Sequence, residues 1–376
     1  MKLFSLLGVV IVETGKFTRQ TIYDLMLNKA VLLCLSFLAI VGDLYGQKVK
    51  RYTIEAQYGA ILAHAQDLIP VAQSNPYGIE LSYQWLSMER ESWLACQCFH
   101  YLGLHLSHHN FDNPQVLGTA TSLSGSFEPI LWKNPSFQVS LSAGMGISYL
   151  SRVYDEQTNP DNNFFSAPIS FLLYLNPKLT YSFSDNWQTS LVFHYNHISN
   201  GGQSQPNRGM NFPTVGLGVS YIPSNYDFPR QERGSVRKKW NAYMEIFGTF
   251  RDAPGSERRQ PVLGLTLGTY YRVGKVNGFG LGMETNIDRS LTFDGEETHG
   301  WMHLPFLSHH FLFGKFDFSQ RFGYYLHKPE NYQPDKLFFQ RYVLSFRIVE
   351  RLRVGIELKT HGHVAENIGI RLGYGF

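Results

Sequence analysis

Apolar and polar residues alternate with period two through most of the chain after residue 47. Such alternation marks β-strands whose two faces meet different surroundings. It is clearest at the end. Ile368, Ile370, Leu372, Tyr374 and Phe376 share one face, and Asn367, Gly369, Arg371, Gly373 and Gly375 share the other. Comparable segments run over 51–63, 77–87, 95–109, 114–132, 136–151, 166–184, 187–199 and 211–222. They recur over 238–252, 260–273, 276–288, 300–314, 315–327, 337–349, 351–360 and 366–376. Clusters such as Asn159-Pro160-Asp161-Asn162-Asn163 and Asp252-Ala253-Pro254-Gly255-Ser256 predict turns between them. No amphipathic helix is expected after residue 47.

The first 46 residues read differently. An apolar run, Ala30 to Val41, follows Lys29 and precedes Gly46. It is too short for a transmembrane helix, which needs about 20 residues, and it has the layout of a secretory signal peptide. Met26 is a natural start, which makes 1–25 an upstream extension. The expected organisation is therefore extension plus signal peptide over 1–46, a first strand region over 47–222 and additional strands over 223–376.

Composition narrows the class. The chain of 376 residues is 43% hydrophobic, 15% aromatic and only 17% charged, with 34 Gly, which excludes disorder. Three cysteines cannot staple a chain this long. A formal charge of +3 gives a nucleic-acid partner no electrostatic support. The expected fold is all-β: a transmembrane antiparallel outer-membrane β-barrel of about 12–16 strands, in the outer membrane of a Gram-negative bacterium. A single larger barrel is the expected form. The aromatic terminus Phe376 resembles the recognition signal of such barrels. Trp85, Trp93, Tyr101 and Trp132 read as interfacial girdles, against a soluble β-sandwich pair.

The candidate chemistry lies between residues 194 and 213. On strand 187–199, Leu191, Phe193, Tyr195, His197 and Ser199 share a face that begins apolar and ends in an imidazole and a hydroxyl. On the next strand Asn211, Pro213, Val215, Leu217, Val219 and Tyr221 share a mostly apolar face. His197, Ser199 and Asn211 can therefore all point toward lipid at one rim. There a histidine can act as general base to a nearby serine. Gly201-Gly202 and Pro206-Asn207 in the connecting loop can turn tightly and present backbone N–H groups. The plainer reading is that the strand has left the hydrocarbon, and that these are ordinary headgroup-zone residues.

The run His197-Ile198-Ser199-Asn200-Gly201-Gly202, followed by Pro206-Asn207-Arg208-Gly209, resembles the signature of the lipid A 3-O-deacylase (PagL) family, outer-membrane β-barrel esterases also described as acyloxyacyl hydrolases. The wider resemblance covers roughly 51–222 and implies that the N-terminal half is like the eight-stranded deacylase barrel. It implies Ser199 as nucleophile and His197 as general base. Asn200, Gly202 and Asn207 become oxyanion or site-shaping residues. Arg208 in the hairpin suits a bidentate contact to a lipid A phosphate, or is a solvated loop charge. The family's acidic residue would fall at 211, which is Asn211 here. An amide can hold the imidazole tautomer but brings no negative charge to it. The implied reaction removes an ester-linked 3-hydroxyacyl chain from lipid A of lipopolysaccharide. It needs no metal or cofactor, with lipid A and outer-membrane lipids as partners and a homo-oligomer left open. A catalytically degenerate structural barrel and a channel for hydrophobic compounds are the alternatives. His105 and His109 share a strand face with Ser107, and no Cys or carboxylate pattern completes a metal set there. The pair His309-His310 and the group His361-Gly362-His363 are read as loop or interfacial residues rather than metal ligands, and Cys96 and Cys98 as small hydrophobes on one strand.

Overall fold

The computed structural model describes residues 48–202, 204–224, 226–232, 239–253, 258–292, 299–330, 332–362 and 364–376. The signal peptide expected within 1–46 lies outside them, as do most of the basic run 230–239, part of the turn at 252–256, and His363.

Among the described residues sixteen strands form, and they close as two antiparallel barrels of eight rather than as one. The first barrel contains β1 Lys48–Gly59, β2 Tyr77–Ser87, β3 His100–Asn110, β4 Thr119–Lys133, β5 Phe137–Leu150, β6 Ile169–Ser182, β7 Trp187–Ser199 and β8 Met210–Tyr221. The second contains β9 Trp240–Asp252, β10 Arg259–Arg272, β11 Asn277–Asp288, β12 Trp301–Phe313, β13 Phe316–Tyr324, β14 Phe338–Arg347, β15 Leu352–His361 and β16 Val364–Gly375. Closure explains the departure from a single barrel. The outer edge of β8 is taken by β1, from Tyr52↔Tyr221 to Gly59↔Thr214, so β9 has no edge to join. β9 pairs instead with β10 and with β16.

The alternation has the expected sense. Leu191, Phe193, Val215 and Leu217 point out and are exposed, while Gln188, Ser190, His194 and Asn196 on the same strand as Leu191 are buried inside. Eight strands enclose a bore that side chains can just fill, and buried polar and charged side chains point into both bores. In the first, Arg51 pairs with Glu128 at 2.5 Å and Glu55 accepts from His194 at 2.6 Å. His105 bonds Glu80, and His109 bonds Gln57. In the second, three arginines face three glutamates. Arg371 bonds Glu245, Glu284 and Glu357; Arg341 bonds Glu284 and Glu357; and Arg321 bonds Glu245. A channel reading loses its support here, because charged side chains pair across each lumen.

Three local expectations change. Residues 90–96 form a short helix, α1 (Arg90–Cys96), where strand was expected from 95. Cys96 and Cys98 are joined by a disulfide instead of lying apart along a strand. The reason is local: α1 ends at Cys96 and Gln97 adopts φ 55°, which turns the chain back and holds the two Cα atoms 5.2 Å apart. Of the expected girdle residues, Trp132 is exposed, but Trp93 is buried on α1. Tyr101 is buried, donating or accepting a 2.7 Å bond with Tyr226 and lying under the Arg51 guanidinium. Outward aromatic pairs such as Trp187–Tyr221 and Phe137–Tyr181 occupy the girdle positions instead.

In the first barrel the connections 60–76, 111–118, 151–168 and 200–209 share one end, and the short turns 134–136 and 183–186 share the other with the α1 connection 88–99. The barrels touch at both ends. At the short-turn end Gly314 N–H donates to Ala95 O on α1. At the long-loop end the Gly201-Gly202 turn abuts the start of β16.

Candidate active site at the rim of the first barrel

β7 leaves the wall of the first barrel at Ser199, and β8 re-enters it at Met210. Register His197↔Asn211 sets those two residues side by side on the outer face. His197 Nδ1 donates to Asn211 Oδ1 at 2.7 Å. That bond fixes the proton on Nδ1 and leaves Nε2 with its lone pair toward the cavity, as a general base requires. Ser199, two residues on, opens onto the same cavity of about 560 Å³. Its Oγ accepts from Gly201 N–H at 3.1 Å and from Asn207 Nδ2 at 3.0 Å. Among the described residues no hydrogen bond joins Ser199 to His197. Bonds of this kind commonly tighten only with substrate present.

The remaining predicted residues divide by what they touch. Asn200 knits the hairpin: its Nδ2 donates to Ser166 Oγ and to Ser204 O, and its Oδ1 accepts from Gly202 N–H at 2.9 Å. The Gly202 N–H is thus engaged within the loop, while the Asn207 amide reaches Ser199. Gly201 and Gly202 take φ of 70° and 78°, the left-handed region that favours glycine. A Cβ on Gly202 would meet Glu366 O at 2.5 Å, so the turn also needs glycine for its approach to β16. Arg208 is exposed and lies 3.4 Å from Asp67.

Other residues line the same cavity. His64 bonds Arg208 O through Nε2 at 3.0 Å, and Ala65, Asp67, Tyr154, Asn163, Gln205 and Pro206 add to the first barrel's share of the lining. Ala365 comes from β16 of the second barrel. These residues lie far apart along the chain, and only barrel closure and loop folding gather them. Asp67, the carboxylate in this lining, pairs with Arg208 and not with His197.

Residues 77–220 match the family model "Lipid A 3-O-deacylase (PagL)", and residues 239–376 match "Acyloxyacyl hydrolase, C-terminal domain". The two matches fall one on each barrel and together cover about three-quarters of the chain. The chain belongs to the lipid A 3-O-deacylase family. Such a barrel is a bacterial outer-membrane protein of hydrolase type. None of the curated proteins matches the chain. Among solved structures, "Crystal structure of the outer membrane enzyme PagL" overlays with 16% identity and a TM-score of 0.31, covering 44% of this chain and 97% of that one. A Rhodopseudomonas blastica porin, a triple mutant, overlays with 10% identity and a TM-score of 0.20, covering 88% of this chain and 100% of that one. Scores this low say nothing further about fold or function.

Proposed function

We propose that this member of the deacylase family hydrolyses an ester-linked 3-hydroxyacyl chain of lipid A, with Ser199 as nucleophile and His197 as general base. The observation that carries the reading is the 2.7 Å bond from His197 Nδ1 to Asn211 Oδ1 on the lipid-facing wall, beside a serine that opens onto the same cavity. Polar groups facing lipid are costly to keep without a use.

Ser199 Oγ adds to the ester carbonyl while its proton passes to His197 Nε2. Asn211 holds the ring in place as it becomes imidazolium. Asn207 Nδ2 and Gly201 N–H, already at the serine oxygen, are the donors nearest the developing oxyanion. The tetrahedral intermediate collapses, the sugar oxygen leaves with the proton from His197, and water then releases the acyl chain by the same steps reversed. An apolar groove lined by Tyr58, Phe193, Pro213, Val215 and Leu217 runs down the wall beside Asn211 and suits the acyl chain. The long loops face the outer leaflet, as they do in outer-membrane barrels.

Lipid A extracted from outer membranes that carry the protein is expected to lose the mass of one 3-hydroxyacyl group, with the free hydroxy acid appearing. Unchanged lipid A, with the barrel folded in the membrane, sinks the reading.

Asn211 supplies orientation without charge. Asn211→Asp is expected to raise turnover by about tenfold or more, since an Asp-to-Asn change in a serine triad costs about 10⁴. A carboxylate also stabilises imidazolium and raises the histidine pKa. The acid limb of the pH–rate profile should therefore move to higher pH in that variant. Asn211→Ala should lower turnover. Equal rates for all three residues at 211 would remove Asn211 from the site.

A further inference from the structure

We infer that the second barrel forms the leaving-group side of the esterase pocket, and that Ala365 on β16 determines how bulky the alcohol portion of the ester can be. This deepens the esterase reading and rests on it. The placement of Ala365 follows from a break in register. Lys359 pairs with Asn367 but Thr360 pairs with Ala365, which leaves Glu366 as an extra residue on β16. A bulge of this kind re-aims side chains. Glu366 turns into the second barrel, where it meets Tyr332, Lys359 and Arg251. Ala365 turns outward and lines the cavity that contains Ser199 and His197.

The two sides of the site differ in character. The apolar groove past Phe193, Val215 and Leu217 descends the lipid-facing wall, where a hydrocarbon chain lies. The cavity at the rim is walled by His64, Asp67, Asn163 and Arg208, groups that hydrogen-bond a hydroxylated, anionic sugar. Ala365 faces that second compartment. Its neighbours hold it in place: Ile368 packs where a Cβ on Gly201 would lie, and the Ala365 and Glu366 carbonyls sit against Gly202. The nucleophile's own turn is thus seated on the second barrel, so the pocket is incomplete without it. A methyl at 365 leaves room for a large glycolipid, and a larger side chain there would not.

The test uses the full purified chain in detergent with two esters, hexa-acylated lipid A and p-nitrophenyl decanoate, whose leaving groups differ greatly in size. Ala365→Trp is expected to lower the ratio of lipid A turnover to p-nitrophenyl ester turnover by about tenfold or more, the scale on which pocket misfit discriminates. Ala365→Val should lower it less. Ile370→Trp, at a lipid-facing position on the same strand that is 67% exposed, should leave the ratio where it is. An unchanged ratio in Ala365→Trp overturns the inference. If tryptophan abolishes both activities, the valine ratio decides in the same way. Wild-type protein that hydrolyses neither ester removes the esterase reading itself, an outcome distinct from an active enzyme whose ratio ignores residue 365.

Discussion

Ser199→Ala is expected to reduce lipid A deacylation by about 10³-fold or more, while the barrel still folds and inserts. Removing the nucleophile of a hydrolytic triad leaves only the modest acceleration that binding and oxyanion donors supply. The loss should be smaller than for a triad with a carboxylate, because Asn211 already forgoes the charge that stabilises imidazolium. Folding should survive because Ser199 sits at the end of β7, outside both lumen networks, and among the described residues its Oγ bonds only Gly201 N–H and Asn207. The measurement is lipid A mass spectrometry on matched membranes, with heat-modified electrophoretic mobility as the check on folding. A variant that deacylates at the wild-type rate would exclude Ser199 as nucleophile, whatever the barrel does to lipid A.

Arg371→Met is expected to lower the stability of the second barrel by about 3–5 kcal/mol, the usual cost of removing one partner from a buried ionic group. Arg371 is buried and serves Glu245, Glu284, Glu357 and Thr266 at once. Without it, three buried carboxylates share Arg321 and Arg341, and the repulsion among them is no longer offset. Solvent cannot screen these groups, since each is sealed inside the lumen. Urea unfolding in lipid vesicles, followed by tryptophan fluorescence, should show the lower midpoint. Because the Gly201-Gly202 turn rests on β16, deacylation should weaken over the same urea range. An unmoved midpoint would mean that the network contributes little to holding the barrel closed.

Much of the site was legible because it depends on near neighbours in the chain. His197 and Ser199 share a face through the period of a strand, and Asn211 reaches His197 across one hairpin. The part that sequence reading missed depends on contacts between distant segments. His64 and Asp67 come from the first long loop, and Ala365 from the last hairpin of the other barrel. No local pattern marks them. Ala365 is further hidden by the β16 bulge, which reverses its facing relative to the alternation of Ile368 and Ile370. Asn200 and Gly202 bond each other rather than Ser199. Which groups face Ser199 depends on how the loop folds back through Asn207.

The sequence by itself indicated a membrane barrel of about 12–16 strands, an apolar outside with a polar inside, and a shared face on which His197, Ser199 and Asn211 can point outward. All of these follow from period-two alternation, which each strand carries within its own residues. Only the tertiary structure decided that the strands close as eight and eight. Alternation is the same in a barrel of either size, whereas closure depends on β1 meeting β8 and β9 meeting β16, pairings between residues far apart in the chain. The same long-range closure brought the second barrel against the Gly201-Gly202 turn, where Ala365 lines the cavity that contains Ser199.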